Sequence, residues 1–256
     1  MQVQLLPSTI TGDRVSRRQH YSCFVIDDRV AVDAGCLASS VSEHQRSSIR
    51  NVVLTHAHLD HIAGLPLFID DLFDSLEKPV TIWATEEVID VVENDVFNWR
   101  VYPRFSELEN KLGPVMRYER IVPGVPFEVE GLNFEAITVN HKVPAVGYLI
   151  SDGGSSIAIT GDTAEMNGFW SRVNSEEKLG ALLIECAFPD RLKELAEVSH
   201  HLTPSGLKTE LEKFRIPSDV FAINLKPMYR DETAGELASL GLHWLSVLEV
   251  GERYSF

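Results

Sequence analysis

Four side chains with metal-ligating chemistry, His56, His58, Asp60 and His61, fall within six residues of a 256-residue chain. Imidazoles two positions apart can converge on one cation from a loop, and Asp60 with His61 offers an oxygen and a nitrogen to a second cation of borderline hardness. The alternative is a polar turn whose histidines only form hydrogen bonds. Imidazoles and a carboxylate this dense, however, repel cations or strand donors unless something binds them. The flanking segments set the place of the cluster. Residues 51–54, Asn-Val-Val-Leu, read as a buried strand, and from Ile62 onward Leu65, Phe68, Ile69, Leu72, Phe73 and Leu76 recur at close to helical spacing. The ligands therefore occupy a strand-to-helix turn. Pro66 is compatible with a first helical turn, and a helix N-terminus beside the cluster would favour anionic ligands.

The string Leu54-Thr55-His56-Ala57-His58-Leu59-Asp60-His61-Ile62-Ala63-Gly64-Leu65 resembles the signature of the metallo-β-lactamase superfamily of metal-dependent hydrolases. More particularly, it is similar to the class II cyclic-nucleotide phosphodiesterases and their relative ribonuclease Z. The resemblance runs discontinuously to Pro227 and assigns further residues. In Asp33-Ala34-Gly35, Asp33 would hold a ligand histidine through its ring nitrogen, as a metal-bound imidazole requires. His141, in Asn140-His141-Lys142, would complete a three-imidazole set with His56 and His58. Asp162, in Gly161-Asp162-Thr163, would bridge two ions, since one carboxylate can offset charge on cations about 3.5–4 Å apart. In His201-Leu202-Thr203-Pro204, His201 would protonate the leaving oxygen, a task suited to an imidazole, and Thr203 would orient it. Asp60 counts among the catalytic residues as well as the ligands. His200 reads first as an exposed loop residue and second as an understudy to His201.

The last element departs from the family. Asn224-Leu225-Lys226-Pro227 stands where a His-Ile-Lys-Pro motif is expected, so an amide replaces a ligand imidazole. An amide oxygen is a weaker ligand for zinc and suits harder ions better. The expected cofactor is a pair of divalent metal ions, zinc first. The second position, made by Asp60, His61, Asp162 and Asn224, would be weak or hold manganese, iron or magnesium. Lys226 is a candidate phosphate contact.

The formal charge of −15 argues against holding long nucleic acid, which relies on a positive surface that releases counterions. A small anionic substrate would instead be drawn locally. A hydrophobic fraction of 44% with 24% charged residues is ordinary for a globular chain. The odd count of three cysteines, Cys23, Cys36 and Cys186, fits a reducing compartment, and neither a signal peptide nor a membrane-length apolar run is visible. These features point to the cytoplasm, although a periplasmic protein stripped of its leader would read the same. Association into a homodimer stays open.

Strand-like runs and helical patterns flank each other in both halves: an edge strand over 1–6, a hairpin about Asp27-Asp28, and a strand-rich stretch from Val115 to Thr160. Together with the resemblance they imply a four-layer αββα metallo-β-lactamase sandwich, an α/β fold, and no linker-like segment divides residues 1–256 into more than one domain. Between Phe97 and Gly113 the cluster Phe97, Trp99, Tyr102 and Phe105, with Arg100 and Arg104, could stack on a nucleobase, the plainer reading being a core edge. The leading functional expectation is a phosphodiesterase that opens 3′,5′-cyclic nucleotides to 5′-nucleotides with a metal-activated water. Rivals are a ribonuclease Z-like or other ester or thioester hydrolase of the same fold, and a non-catalytic metal or nucleotide sensor, which Asn224 motivates.

Overall fold

The computed structural model of the chain describes residues 1–12 and 14–256. Two seven-stranded mixed sheets face each other. The first runs in the order Met116–Arg120, Val80–Ala84, Asn51–Val53, Val30–Val32, Phe24–Ile26, Gln2–Leu5, Arg253–Ser255. The second runs Phe127–Val129, Leu132–Thr138, Val146–Ser151, Ser156–Ile159, Leu179–Glu185, Asp219–Ile223, Leu245–Val247. Gln2–Leu5, expected at an edge, is covered by Arg253–Ser255, so the edge falls to the last strand. The hairpin about Asp27 and Asp28 is present, both residues adopting the positive φ (48° and 56°) that a tight two-residue turn demands.

Side-chain alternation along the strands builds the layers. Val25, Ala31 and Val52 face outward onto Leu37, Phe68 and Ile69, which come from helices Leu37–Ser40 and Leu65–Leu72. Their neighbours Phe24, Ile26, Val30 and Val53 face inward and meet Phe134, Tyr148 and Ile157 of the second sheet. On the far side of that sheet Ala158, Leu182 and Val220 pack against Phe169, Trp170, Leu207 and Leu237, carried by helices Gly168–Val173, Pro204–Leu211 and Arg230–Ser239. The order of layers is helix, sheet, sheet, helix, as expected. The helical stretch anticipated from Ile62 begins earlier: Leu59–Ile62 is already a turn of helix, so Asp60 and His61 sit on helical backbone.

The residues that matter emerge where strands of both sheets end. Val30–Val32 delivers Asp33, Asn51–Val53 delivers His56 and His58, Leu132–Thr138 delivers His141, Ser156–Ile159 delivers Asp162, and Asp219–Ile223 delivers Asn224 and Lys226. Two bonds join the sheets beneath them: the buried Tyr148 hydroxyl donates to Leu54 O (2.6 Å), and Val146 N–H donates to Thr55 O (3.0 Å).

One glycine makes this junction possible. A Cβ built on Gly35 would lie 2.0 Å from Asp60 O, 2.8 Å from Tyr21 Cβ and 2.9 Å from Ser22 O. Two of these neighbours are backbone atoms bound into the same clamp, where Ser22 N–H donates to Asp60 O (2.8 Å) and Gly35 N–H to Ser22 O (2.9 Å). Gly35→Ala should therefore cost about 1–3 kcal/mol or more by overpacking. At this chain length each kcal/mol corresponds to a fall in melting temperature of about 2–4 °C, which differential scanning fluorimetry would record.

Candidate metal centre

Three groups of donor atoms share Asp162, two of them with residues of the histidine-rich turn and one with Glu185 and His201. One atom from each of His56, His58, His141 and Asp162 lies within 4.8 Å of the others, and the same holds for Asp60, His61 and Asp162. Asp162 turns one oxygen to each of these two groups, Oδ2 at 4.0 Å from His56 Nε2 and Oδ1 at 3.4 Å from His61 Nε2. That is the disposition of a bridging carboxylate.

Neighbouring hydrogen bonds decide which ring nitrogens carry protons. The Thr55 hydroxyl donates to Asp33, at 3.0 Å from Oδ1 and 2.9 Å from Oδ2, so toward His56 Nδ1 (3.0 Å) it accepts. The lone pair of His56 is thereby left on Nε2, which is buried and has no hydrogen-bond partner. His141 Nδ1 donates to His200 O (3.0 Å), leaving Nε2 as its lone-pair atom, 3.1 Å from His58 Nδ1. His61 Nδ1 donates to Asp33 Oδ2 (2.7 Å), leaving Nε2 to face Asp162. Burial pushes His56 and His58 below the ordinary imidazole range and His141 down to about 4, so these rings are neutral near pH 7 and keep their lone pairs. An orphaned buried lone pair, two neutral imidazoles converging on it and an ionised carboxylate are the donor set of a divalent-metal site. The residues of the first group fit such an ion.

Asp33 stands under the whole cluster. At φ 59° it ends its strand, accepts the Thr55 N–H (2.8 Å) and hydroxyl, and holds His61. Burial opposes charge on His61, but Asp162 and Asp33 on either side raise it well above the ordinary range. Asp162 is likewise disfavoured by burial, yet His61, His56 and Lys226 hold its carboxyl well below the usual carboxylate range.

A family model described as a beta-lactamase superfamily domain matches residues 29–216, which include every one of these donors. The chain belongs to that superfamily. It is similar to a probable 3′,5′-cyclic-nucleotide phosphodiesterase of Yersinia pestis, 30% identical over 183 residues that make up 66% of this chain and 52% of the relative. It is also similar to ribonuclease Z of Listeria innocua, 28% identical over 123 residues, 48% of this chain and 37% of that one. The chain thus spans about half or less of the length of these relatives. In fold it is similar to unliganded yeast PDE1, with a TM-score of 0.77 at 17% identity and 98% of each chain covered.

In this β-lactamase superfamily member one expectation about His201 needs correcting. Thr203 does not orient His201: its hydroxyl accepts from Gly206 N–H (3.4 Å) as the N-cap of Pro204–Leu211, and among the described residues no hydrogen bond joins it to the His201 ring. Threonine followed by proline at the first helical position is a helix start, and that role turns the hydroxyl away. The orienting group is Glu185, which the sequence reading passed over. It is fully buried at the end of Leu179–Glu185, pairs with His201 Nδ1 through Oε1, and accepts Leu202 N–H through Oε2 (2.8 Å). Its signal was available: an acid closing a strand of otherwise apolar residues. Burial pushes Glu185 up to about 7, while His201, lowered by burial, is raised overall by the Glu185 contact. The His201 ring centre lies 5.1 Å from that of His141.

His200 also has a place that loop exposure did not suggest. Left-handed at φ 56°, it presents the carbonyl that fixes the His141 tautomer, while its own Nδ1 meets Asn140 Oδ1 (3.0 Å). The aromatic cluster, by contrast, is core edge: Phe97 and Phe105 are buried, the Trp99 indole N–H donates to Glu107 (3.3 Å) and the Tyr102 hydroxyl to Asp70 (3.1 Å). None of them lines the cavity beside His201 or the one between Asp60 and Asp162; Tyr21 lines the latter.

Proposed function

We propose that this chain hydrolyses a phosphodiester and that 3′,5′-cyclic nucleotides, opened to 5′-nucleotides, are the substrates to try first. The carrying observation is the Glu185–His201 pair standing beside the ligand cluster. A ribose oxygen leaves phosphorus as a poor, strongly basic anion and needs a proton, whereas the leaving groups of thioesters need far less help. His201, held by Glu185 and kept protonated to higher pH, is placed to give that proton. Divalent ions at the cluster, zinc by choice at the three-imidazole position, would supply Lewis acidity toward water and the phosphoryl oxygens. His56, His58, His141 and Asp162 would hold one such ion, and Asp60, His61 and Asp162 face a second position.

A cavity of about 320 Å³ opens on His201 between Asn140, His200, Thr203 and Thr209. That is the size of a small-molecule site. The charge of −15 disfavours long RNA and leaves a small anion drawn by the centre and by Lys226. The phosphodiesterase name of the Yersinia relative supports the same reading. Three buried free thiols are in keeping with a cytoplasmic protein, and among the described residues no helix is long and apolar enough to cross a membrane.

The test is chromatographic assay of 5′-AMP released from 3′,5′-cyclic AMP by the metal-loaded protein, alongside bis-para-nitrophenyl phosphate. Turnover of both is expected. Hydrolysis of the nitrophenyl ester alone keeps the phosphodiesterase class and removes the cyclic nucleotide, and bound metal without turnover of either favours the sensor.

A further inference from the structure

The two ion positions of the centre are not built alike. On the three-imidazole side His56 Nε2 is buried without a hydrogen-bond partner, and His141 Nε2 and His58 Nδ1 meet only each other, at 3.1 Å. On the other side the two carboxylates already have partners. Asn224 turns its amide nitrogen, not its oxygen, to Asp162, with Nδ2 2.6 Å from Oδ1. An N–H group has no lone pair to offer a cation, and the oxygen it binds is the one that would face the second ion. Asp60 has a partner too: Lys226 Nζ lies 3.4 Å from Oδ2. The remaining space between Asp60, His61, Asp162, Asn224 and Lys226 is a cavity of about 30 Å³, room for a water or a single ion.

The backbone holds this arrangement. Asn224 follows Asp219–Ile223 in the left-handed region at φ 57°, which asparagine adopts more readily than most residues, and Lys226 N–H donates to Ala187 O (3.0 Å). Turn and bond together bring the amide and the ammonium to the same pair of acids.

We propose that the centre is an unequal pair, in which one ion is held tightly by His56, His58, His141 and Asp162 while the Lys226 ammonium and the Asn224 amide occupy the second position until an ion displaces them. This rests on the metal-centre reading above. Entry of the second ion moves Nζ off Asp60 and rotates the Asn224 amide, so that its oxygen replaces its N–H. The incoming ion is then one that accepts carboxylate and amide oxygens readily, manganese or magnesium before zinc.

Calorimetric titration of the metal-free full chain with Zn²⁺ and with Mn²⁺, paired with elemental analysis after desalting, reads this directly. One equivalent retained on desalting is expected, with a second binding step weaker by at least about tenfold, the scale on which supporting groups alter metal affinity. Asn224→His, which restores an imidazole, and Lys226→Met, which removes the resident cation, should each strengthen the second step and leave the first unchanged. Two equivalents of equal affinity in the unaltered protein would overturn the proposal, as would a second step that neither variant strengthens. Should Asn224→His fail to fold, judged by its melting curve, Lys226→Met decides alone. Retention of no ion at all would instead bring down the metal-centre reading itself.

Discussion

Asp162→Ala is expected to lower turnover of bis-para-nitrophenyl phosphate by at least about 10²–10³-fold, the scale seen when one preorganised charge-stabilising group is removed. Asp162 is the member common to both donor groups of the histidine-rich turn, with one oxygen toward His56 and the other toward His61 and Asn224. Its loss takes a ligand from each position. It also leaves a buried His61, raised toward the charged form by Asp162 and Asp33, without one of its two carboxylates. Unpaired charge of that kind is costly, so ion retention by elemental analysis and the melting temperature should be recorded with the rate. Asp162→Asn separates the effects: it preserves shape and removes charge. Ion retention and rate in Asp162→Ala equal to those of the unaltered protein would exclude Asp162 as a shared ligand.

His201→Ala and Glu185→Gln form the second large effect. Removing a general acid typically costs 10²–10⁴-fold, and His201→Ala should fall in that span of about two to four decades for substrates with a basic leaving oxygen. With bis-para-nitrophenyl phosphate, whose leaving group needs little protonation, the loss should be much smaller, and that contrast separates proton donation from a folding defect. Glu185→Gln acts on the pH profile. The Glu185 contact raises His201 overall, so the active, protonated form persists as pH climbs past the ordinary value near 6.5 and is lost only when pH passes the raised one. Without the carboxylate, the alkaline limb of kcat/KM for the cyclic nucleotide should move toward lower pH. A limb that stays in place would show that another group carries the proton.

Much of this centre can be read directly from residue order. His56, His58, Asp60 and His61 are crowded into one turn, and the resemblance to the superfamily adds Asp33, His141 and Asp162 at the ends of further short strands. Strand ends were legible because apolar runs of four to six residues stop at polar or glycine residues, and the two-layer core followed from their alternation. Less legible were roles set by partners distant in the chain. Glu185 meets His201 across 16 positions and His200 meets His141 across 59, and no local pattern encodes either contact. Thr203 shows the opposite failure, where a motif suggested an orienting hydroxyl and the local preference for a helix cap prevailed.

Sequence alone determined the superfamily and the layered α/β architecture, and it named the candidate ligands, because ligand chemistry depends on residue type and the turn that carries it is local. Tertiary structure alone decided which nitrogen of His56 and of His141 keeps its lone pair, which acid holds His201, and that Asn224 and Lys226 face Asp162 and Asp60. Those outcomes depend on hydrogen-bond partners brought together from both sheets, and a proton's position on a ring follows from the group opposite it rather than from its neighbours in the chain.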